Sequence, residues 1–89
     1  MALTNYDLVV TKTFKKYFNS LDSDIKDRIK SHIIHIEEDP YTGKHLHGNL
    51  KGLYSFRVGK YRVIYSIEER PKRIVLYFVG HRKGIYDKL

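Results

Sequence analysis

The chain contains no cysteine and no tryptophan, and only two prolines interrupt its 89 residues. Without cysteine, neither a disulfide framework nor a thiolate zinc site can stabilise the fold. No apolar run approaches the length of a membrane span, so we expect no membrane partner. The first residues, MALTNYDLVVTK, lack a basic segment followed by a long apolar run, so we expect no signal peptide. Together these absences predict a cytoplasmic protein.

Acidic residues are scarce in the second half of the chain. Residues 1–50 contain seven Lys or Arg and seven Asp or Glu, whereas residues 51–89 contain ten and three. The formal net charge of +7 therefore lies entirely in the second half. Aromatic residues are interspersed there: Tyr54, Phe56, Tyr61, Tyr65, Tyr77, Phe78 and Tyr86. This combination is typical of a surface that binds a polyanion such as nucleic acid, although solubility alone explains the charge equally well.

Length and periodicity predict one α+β domain over residues 1–89, with a single core. Tyr6–Val10 is β-branched and apolar, as in a strand, and Thr11 and Asp22 are candidate N-caps of two helices. Apolar residues recur at helical spacing in both helices: Phe14, Tyr17, Phe18 and Leu21, then Ile25, Ile29, Ile33 and Ile36. Asp39-Pro40 ends the second helix. Two helices joined by a short turn predict an antiparallel αα-hairpin.

The remaining residues predict a loop and a three-stranded meander. Residues 41–52 contain three glycines and no period, so we predict a loop. Strands are predicted at Leu53–Val58, Tyr61–Glu68 and Arg73–Val79, the last in the sheet interior because it is the most apolar. Gly59-Lys60 suits a type II′ turn, and residues 69–72 form the next turn. The predicted fold is an antiparallel sheet packed on an N-terminal αα-hairpin, in the order β-α-α-β-β-β.

The loop contains the pair His45 and His47, which invites comparison with a metal site. Zinc sites need three or four protein ligands, and no third ligand is evident in the sequence. We therefore favour exposed or backbone-bonded histidines and predict neither a metal nor any other cofactor.

The predicted hairpin register places two arginines opposite each other. If Gly59-Lys60 is the turn, Arg57 faces Arg62 on one face of the sheet. An apolar set then faces the helices: Tyr54, Phe56, Val58, Tyr61, Val63 and Tyr65. Opposed like charges destabilise a strand pair, and a phosphate bound between the guanidinium groups would explain the pairing. Two side chains that splay into solvent are an equal explanation.

The last strand adds residues to the same end of the sheet. Because it should run antiparallel to its neighbour, Arg82 is expected near Arg62, flanked by His81 and Lys83 and followed by Tyr86. Such a group could hold a phosphodiester and stack a base. An equal alternative for Tyr86 is a purely structural contact that pins the C-terminal segment to the sheet.

Two motifs resemble the RelE/ParE superfamily of toxin–antitoxin toxins, and its RelE branch in particular. They are L-x-G-x-x-x-x-R-x-G-x-Y-R-x-x-Y at Leu50–Tyr65 and G-H-R-x-x-x-Y at Gly80–Tyr86. The resemblance extends over essentially the whole chain and implies a sheet that cradles an αα-hairpin. It also implies a metal-independent endoribonuclease that cleaves mRNA in the ribosomal 30S A site and so inhibits translation. In that reaction the 2′-hydroxyl attacks the adjacent phosphate.

The resemblance further implies roles for individual residues. Arg62 would stabilise the transition-state phosphate, Arg82 the leaving oxygen, and Tyr86 would stack on or orient a nucleotide. Well-known bacterial members have lysines at the positions of Arg57 and Ser55, and the first is their proposed general base. Arginine keeps its proton at any working pH, so our candidate base is His81. Predicted RNA contacts are Lys51, Ser55, Lys60 and Lys83.

The resemblance also implies partners. The basic sheet should bind a cognate antitoxin through an acidic, largely disordered C-terminal segment, and the targets should be the ribosome and mRNA. One alternative is a ParE-like toxin that acts on DNA gyrase. Another is an inactive member that binds only RNA or antitoxin. The joint presence of Arg57, Arg62, Arg82 and Tyr86 favours the nuclease.

Overall fold

The architecture is a five-stranded sheet with two helices on one face. A computed structural model describes residues 6–81. Its elements are β1 (Asp7–Val10), α1 (Lys12–Asn19), α2 (Ser23–Glu38), β2 (Lys44–His45), β3 (Tyr54–Val58), β4 (Tyr61–Glu69) and β5 (Lys72–His81). The strand order is β1-β5-β4-β3-β2. The α+β class is thereby confirmed, and β5 lies in the sheet interior as predicted.

The sheet differs from the prediction at its two edges. β1 runs parallel to β5, so the sheet is mixed rather than wholly antiparallel. Parallel neighbours need a long connection, which the intervening helices and strands provide. At the other edge, β2 pairs with β3 inside the segment predicted to be only a loop. Short 3₁₀ turns at Pro40–Thr42 and Gly48–Leu50 flank this strand.

Local capping explains where the helices begin and end. The Thr11 hydroxyl accepts a hydrogen bond from the Phe14 amide at 3.1 Å and donates one to the Leu76 carbonyl at 2.8 Å, which ties α1 to β5. Asp22 occupies the N-cap position of α2, but its side chain makes no capping hydrogen bond. The helix ends at Glu38, two residues before Pro40, as the proline predicted.

The main core lies between the helices and one face of the sheet. Buried residues of α2 (Ile29, Ile33 and Ile36) pack against Phe56, Val58, Val63 and Tyr65 of the β3–β4 hairpin. The predicted apolar face of that hairpin is thus confirmed for these four residues, and Tyr54 packs at the margin. Tyr61 is only half-buried.

A second, smaller core on the opposite face of the sheet was not predicted. Leu46 and Ile64 are buried there, and Leu50, Leu53 and Phe78 pack around them. The Leu46 amide donates to the Leu53 carbonyl at 2.9 Å, which closes the loop over the sheet. The expectation of a single core was therefore wrong, because this leucine-bearing loop gives the second sheet face its own apolar cover.

Tyr65, the last residue of the Leu50–Tyr65 motif, anchors the loop from the main core. Its side chain is 0% exposed, and its hydroxyl donates to the Pro40 carbonyl at 2.6 Å. Burial raises the pKa of this phenol. A Cβ atom at Gly43 would lie 2.1 Å from the Tyr65 hydroxyl, so no larger residue fits at that position without a shift. The motif tyrosine is therefore a structural residue.

Candidate nucleic-acid interface

The β3–β4 hairpin has the predicted register. Arg57 pairs with Arg62, between the Phe56–Val63 and Val58–Tyr61 pairs. At the turn, Gly59 has a φ of +60°, and no non-glycine residue among those described has a positive φ, which matches a type II′ turn. Since strand residues alternate between faces, both arginines lie on the face opposite the helices. Arg57 is exposed and Arg62 is half-buried.

A buried hydroxyl orients Arg62. The Arg62 Nη1 donates to Ser55 Oγ at 3.1 Å, and Ser55 is only 1% exposed. Ser55 was predicted to contact RNA, but its burial prevents direct contact, so that prediction is corrected. Its hydroxyl instead fixes the guanidinium of Arg62 without neutralising its charge. Gly80 pairs with Arg62 on the other side and has no side chain to cover it.

The surroundings of the two arginines are strongly cationic. No Asp or Glu occurs between Asp39 and Glu68, whereas that stretch contains Lys44, Lys51, Arg57, Lys60 and Arg62. Within residues 6–81, no carboxylate forms an ion pair with either arginine of the hairpin. The uncompensated positive charge favours an anionic ligand, and the arginine fork suits a phosphate.

Lysines surround the arginine pair, and one of them was missed from the sequence. Lys44 on β2 pairs with Ser55, so strand alternation places it on the face of Arg57. It was missed because the strand was taken for loop. Among the predicted RNA contacts, Lys60 is exposed at the hairpin turn. Lys51 is exposed on the loop that covers this same face.

His81 is not brought to the arginines. It pairs with Tyr61, and their rings lie 5.8 Å apart in an edge-on arrangement. The neighbouring pair on the ladder is Arg62 with Gly80, so alternation places His81 on the opposite face from Arg62. This placement argues against His81 as the base for a phosphate held there. Arg82, Lys83 and Tyr86 lie outside the described residues.

The described ranges contain no candidate metal centre or membrane span. No group of three or more His, Cys, Asp or Glu side chains in residues 6–81 is placed to hold a metal ion. His45 and His47, the pair noted in the sequence, are exposed, with ring centroids 5.5 Å apart. No helix in the same residues is both long and apolar enough to cross a bilayer.

Comparison with known proteins agrees with this arrangement. Residues 8–86 match the family described as the ParE toxin of the type II toxin–antitoxin system parDE. Toxin RelE of Mycobacterium tuberculosis is 39% identical over 44 residues, which is 49% of this chain and 45% of that protein. Toxin RelG of the same organism is 38% identical over 47 residues, or 53% of this chain and 54% of that protein. The matches thus span about half of each relative.

A solved structure extends the likeness to the whole fold. The toxin–antitoxin complex RelBE2 from M. tuberculosis contains a chain with a TM-score of 0.81 and 28% identity, and the match covers 88% of this chain and 99% of that one. The resemblance stated from the Leu50–Tyr65 and Gly80–Tyr86 motifs is confirmed. The chain belongs to the ParE toxin family of type II toxin–antitoxin systems, within the RelE-like toxin superfamily.

Proposed function

We propose that this chain is a ribosome-dependent endoribonuclease of the RelE type, which cleaves mRNA in the 30S A site. The observation that supports this most directly is the Arg57–Arg62 pair: Arg57 is exposed, Arg62 is oriented by Ser55, and no carboxylate within residues 6–81 forms an ion pair with either arginine. Two guanidinium groups at one point are suited to a phosphodiester. The M. tuberculosis relatives named RelE and RelG support the same branch.

In the proposed reaction the 2′-oxygen attacks the adjacent phosphorus and the bond from phosphorus to the 5′-oxygen breaks. The products are a 2′,3′-cyclic phosphate and a 5′-hydroxyl, so one proton leaves the 2′-hydroxyl and one reaches the leaving oxygen. Negative charge increases on the phosphoryl oxygens in the transition state, where Arg57 and Arg62 would stabilise it. Arg82 and Tyr86 keep their predicted roles at the leaving oxygen and the nucleotide. No metal is required by this scheme.

We assign no side chain as the acceptor of the 2′-hydroxyl proton. Arginine cannot accept the proton, and His81 lies across the sheet from Arg62. We therefore propose that charge stabilisation by the arginines, together with orientation of the mRNA by the ribosome, supplies most of the rate. A pH–rate profile of His81→Ala that coincides with the wild-type profile would exclude the histidine as base.

We further propose a cognate antitoxin with an acidic C-terminal segment as the inhibitory partner. The M. tuberculosis RelBE2 structure is itself a toxin–antitoxin complex. An acidic segment complements the cationic face around Arg57 and Arg62, and a disordered one can fold across it on binding.

The decisive experiment maps mRNA 5′ ends on translating ribosomes after brief induction from a tight promoter. The wild-type chain should produce cuts within codons, and Arg62→Ala should reduce cutting at least about 100-fold, as loss of one transition-state charge contact typically does. Arg70→Ala is the matched control, because Arg70 is exposed in the turn at the far end of the β4–β5 hairpin. Intact mRNA with folded wild-type protein would refute the proposal.

The family match to ParE toxins supports a second candidate, inhibition of DNA gyrase. Growth arrest with intact mRNA and an induced DNA-damage response would identify that activity. Absence of any toxicity would instead favour a member that binds only RNA or antitoxin.

A further inference from the structure

Helix α1 borders the sheet face that carries the arginine pair, which we call the arginine face. The helix begins beside Leu76, whose carbonyl accepts hydrogen bonds from the amide and the hydroxyl of Thr11, and it packs against β5 beyond the end of β1. In its last turn, the Tyr17 ring lies 5.7 Å from the Phe78 ring, with the planes inclined by 36°. Both residues are half-buried. The helix therefore reaches β5 at Phe78.

Strand alternation places Phe78 on the arginine face. Phe78 pairs with Ile64, which is buried in the second core, and Gly80 pairs with Arg62. Because Phe78 and Gly80 are two residues apart on β5, they share a face, and their Cα atoms are separated by about 7 Å. On this face β5 lies between Arg62 and α1, and at Gly80 it has no side chain that would separate them. The Tyr17 ring is thus on the β5 side of the arginine face.

A lysine in the same turn of α1 adds positive charge to this border. Lys16 is exposed, and its Nζ lies over the Tyr17 ring, 5.9 Å from the centroid. It forms no ion pair among the described residues, and the stretch 8–21 contains no Asp or Glu. Of the two acids that bound this stretch, Asp7 lies at the end of β1 remote from α1, and Asp22 precedes α2. The positive charge of Lys16 is therefore uncompensated.

The arrangement of cations and aromatic rings selects the class of ligand. From the arginine pair towards Lys16, a ligand meets positive charge, then the rings of Phe78 and Tyr17, then positive charge again. A single RNA strand has the complementary pattern, because its bases present flat faces between charged phosphates. An acidic peptide matches the charges but offers no base to the rings.

We propose that α1 forms one side of the RNA-binding face. Lys16 binds a phosphate that neighbours the one held by the arginine pair, and the rings of Tyr17 and Phe78 contact the nucleotide between the two phosphates. The RNA strand then extends across β5 onto the helix. The assignment of that RNA as substrate rests on the proposed function, whereas its binding can be measured without cleavage.

The test measures how the full chain binds a fluorescent 2′-O-methyl RNA oligonucleotide, which cannot be cleaved, at several salt concentrations. Loss of one phosphate contact should reduce the slope of log K against log salt by about 0.7, which at about 0.1 M salt corresponds to roughly fivefold weaker binding. We expect this change for Lys16→Ala. Lys16→Arg keeps the charge and should bind as wild type.

Tyr17→Leu tests the ring contact separately. Leucine keeps an apolar side chain against the main core but removes the ring, so binding should weaken at least about fivefold, as loss of one aromatic contact to a base typically does. The salt slope should stay that of wild type, because no charge is removed. A folded Tyr17→Leu protein that binds within twofold of wild type would contradict the ring contact.

Lys26→Ala is the matched control for the lysine. Lys26 also lies over an aromatic ring, that of Phe18 at 6.0 Å, but it belongs to α2, on the helical side of the sheet. Its removal takes the same charge from a place outside the proposed RNA path, so affinity and salt slope should be those of wild type. Equal losses in Lys16→Ala and Lys26→Ala would show that only net charge matters, and would overturn the inference.

Two other results would overturn the inference. One is a folded Lys16→Ala protein that binds RNA within twofold of wild type with an unchanged salt slope. The other is a Lys16→Ala protein that binds RNA normally but binds a polyglutamate peptide more weakly, which would assign α1 to an acidic protein partner.

Arg62→Ala in the same assay separates this inference from the proposed function. If Arg62→Ala weakens RNA binding and Lys16→Ala does not, only the extension onto α1 is wrong. If neither variant weakens RNA binding, the arginine site is wrong as well. If both variants weaken binding but the mRNA ends on ribosomes are intact, the RNA-binding face stands and the nuclease activity does not.

Discussion

At the scale of single residues, the arginine pair places like charges where the fold would be more stable without them. Arg57 and Arg62 face each other on neighbouring strands, and within residues 6–81 neither forms an ion pair with a carboxylate. Direct opposition of like charges destabilises a strand pair, and cross-strand pairs generally act on a scale of about 0.2–1 kcal/mol. A ligand phosphate between the guanidinium groups would reverse the sign of that interaction. Under the proposed function, phosphate binding and stability are therefore opposed at this pair.

Arg57→Gln tests that opposition. It keeps most of the aliphatic stem while removing the charge, so we expect the melting temperature to rise by about 1–5 °C. RNA cleavage and RNA binding should both decrease, and the salt dependence of binding to a single strand should weaken by about 0.7 in slope. Thermal unfolding and binding at several salt concentrations measure the two effects. An unchanged or lower melting temperature would contradict the repulsion.

At the scale of elements, the hairpin was predictable and the loop before it was not. The turn at Gly59 and the alternation of apolar residues determine a single register, so the Arg57–Arg62 pairing followed from the sequence. In the segment from Tyr41 to Gly52, apolar residues do not recur at the spacing of a helix or a strand, so its sequence predicts no regular element. Its structure depends on tertiary contacts: Leu46 on Ile64, and Gly43 against Tyr65. Lys44 was missed for that reason.

The same distinction applies to His81. The sequence suggested that His81 shares a site with the arginines, but successive residues of β5 point to opposite faces, and it is Gly80 that pairs with Arg62. The pairing of His81 with Tyr61, one step beyond Arg62 with Gly80, separates it from the arginines. Proximity in the sequence was therefore a poor guide to the position of His81. The alternation of side chains that predicted the face of Arg57 and Arg62 in the hairpin would also have predicted the face of His81 in the last strand.

Gly43→Ala tests the loop as an element. The new methyl group would meet the Tyr65 hydroxyl at 2.1 Å, and such overpacking costs about 1–3 kcal/mol. We expect the melting temperature to fall by roughly 5–20 °C. The cost should be smaller in a Tyr65→Phe background, where the clashing oxygen is absent, although the Ser55 carbonyl remains 3.0 Å from the added carbon. Equal costs in both backgrounds would show that the hydroxyl is not the obstacle.

At the scale of the whole molecule, one carboxylate links the segments that lead into both edges of the sheet. Glu69, at the end of β4, accepts hydrogen bonds from Tyr6, which precedes β1, and from Tyr41, which precedes β2. These two hydrogen bonds lower the pKa of Glu69, and the bond from Tyr41 has the larger effect. The bond to Glu69 raises the pKa of Tyr41 to about 12. The ionised carboxylate and the protonated phenols therefore stabilise the folded chain together.

The sign of this linkage predicts a pH dependence. Because the folded-state pKa of Glu69 lies below its unfolded value, its contribution is present above about pH 4.3 and is lost as the pH falls through the lowered pKa. Wild type should therefore melt above Glu69→Gln near neutral pH, and the gap should close in acid. For Tyr41 the contribution is complete below about pH 10 and is lost as the pH rises towards 12. Melting curves of both proteins from pH 3 to 7 measure the first effect, and a constant gap would contradict it.

The bond between Tyr65 and Pro40 has a consequence for genetics. If the chain arrests growth as proposed, a selection for cells that survive its expression should recover changes at Gly43 and Tyr65 alongside changes at Arg62. Position in the motif would not separate them, because Tyr65 and Arg62 lie three residues apart in the same run. The yield of soluble protein would separate the two groups. Survivors altered at Gly43 or Tyr65 should contain little folded protein, whereas survivors altered at Arg62 should accumulate folded protein at normal levels.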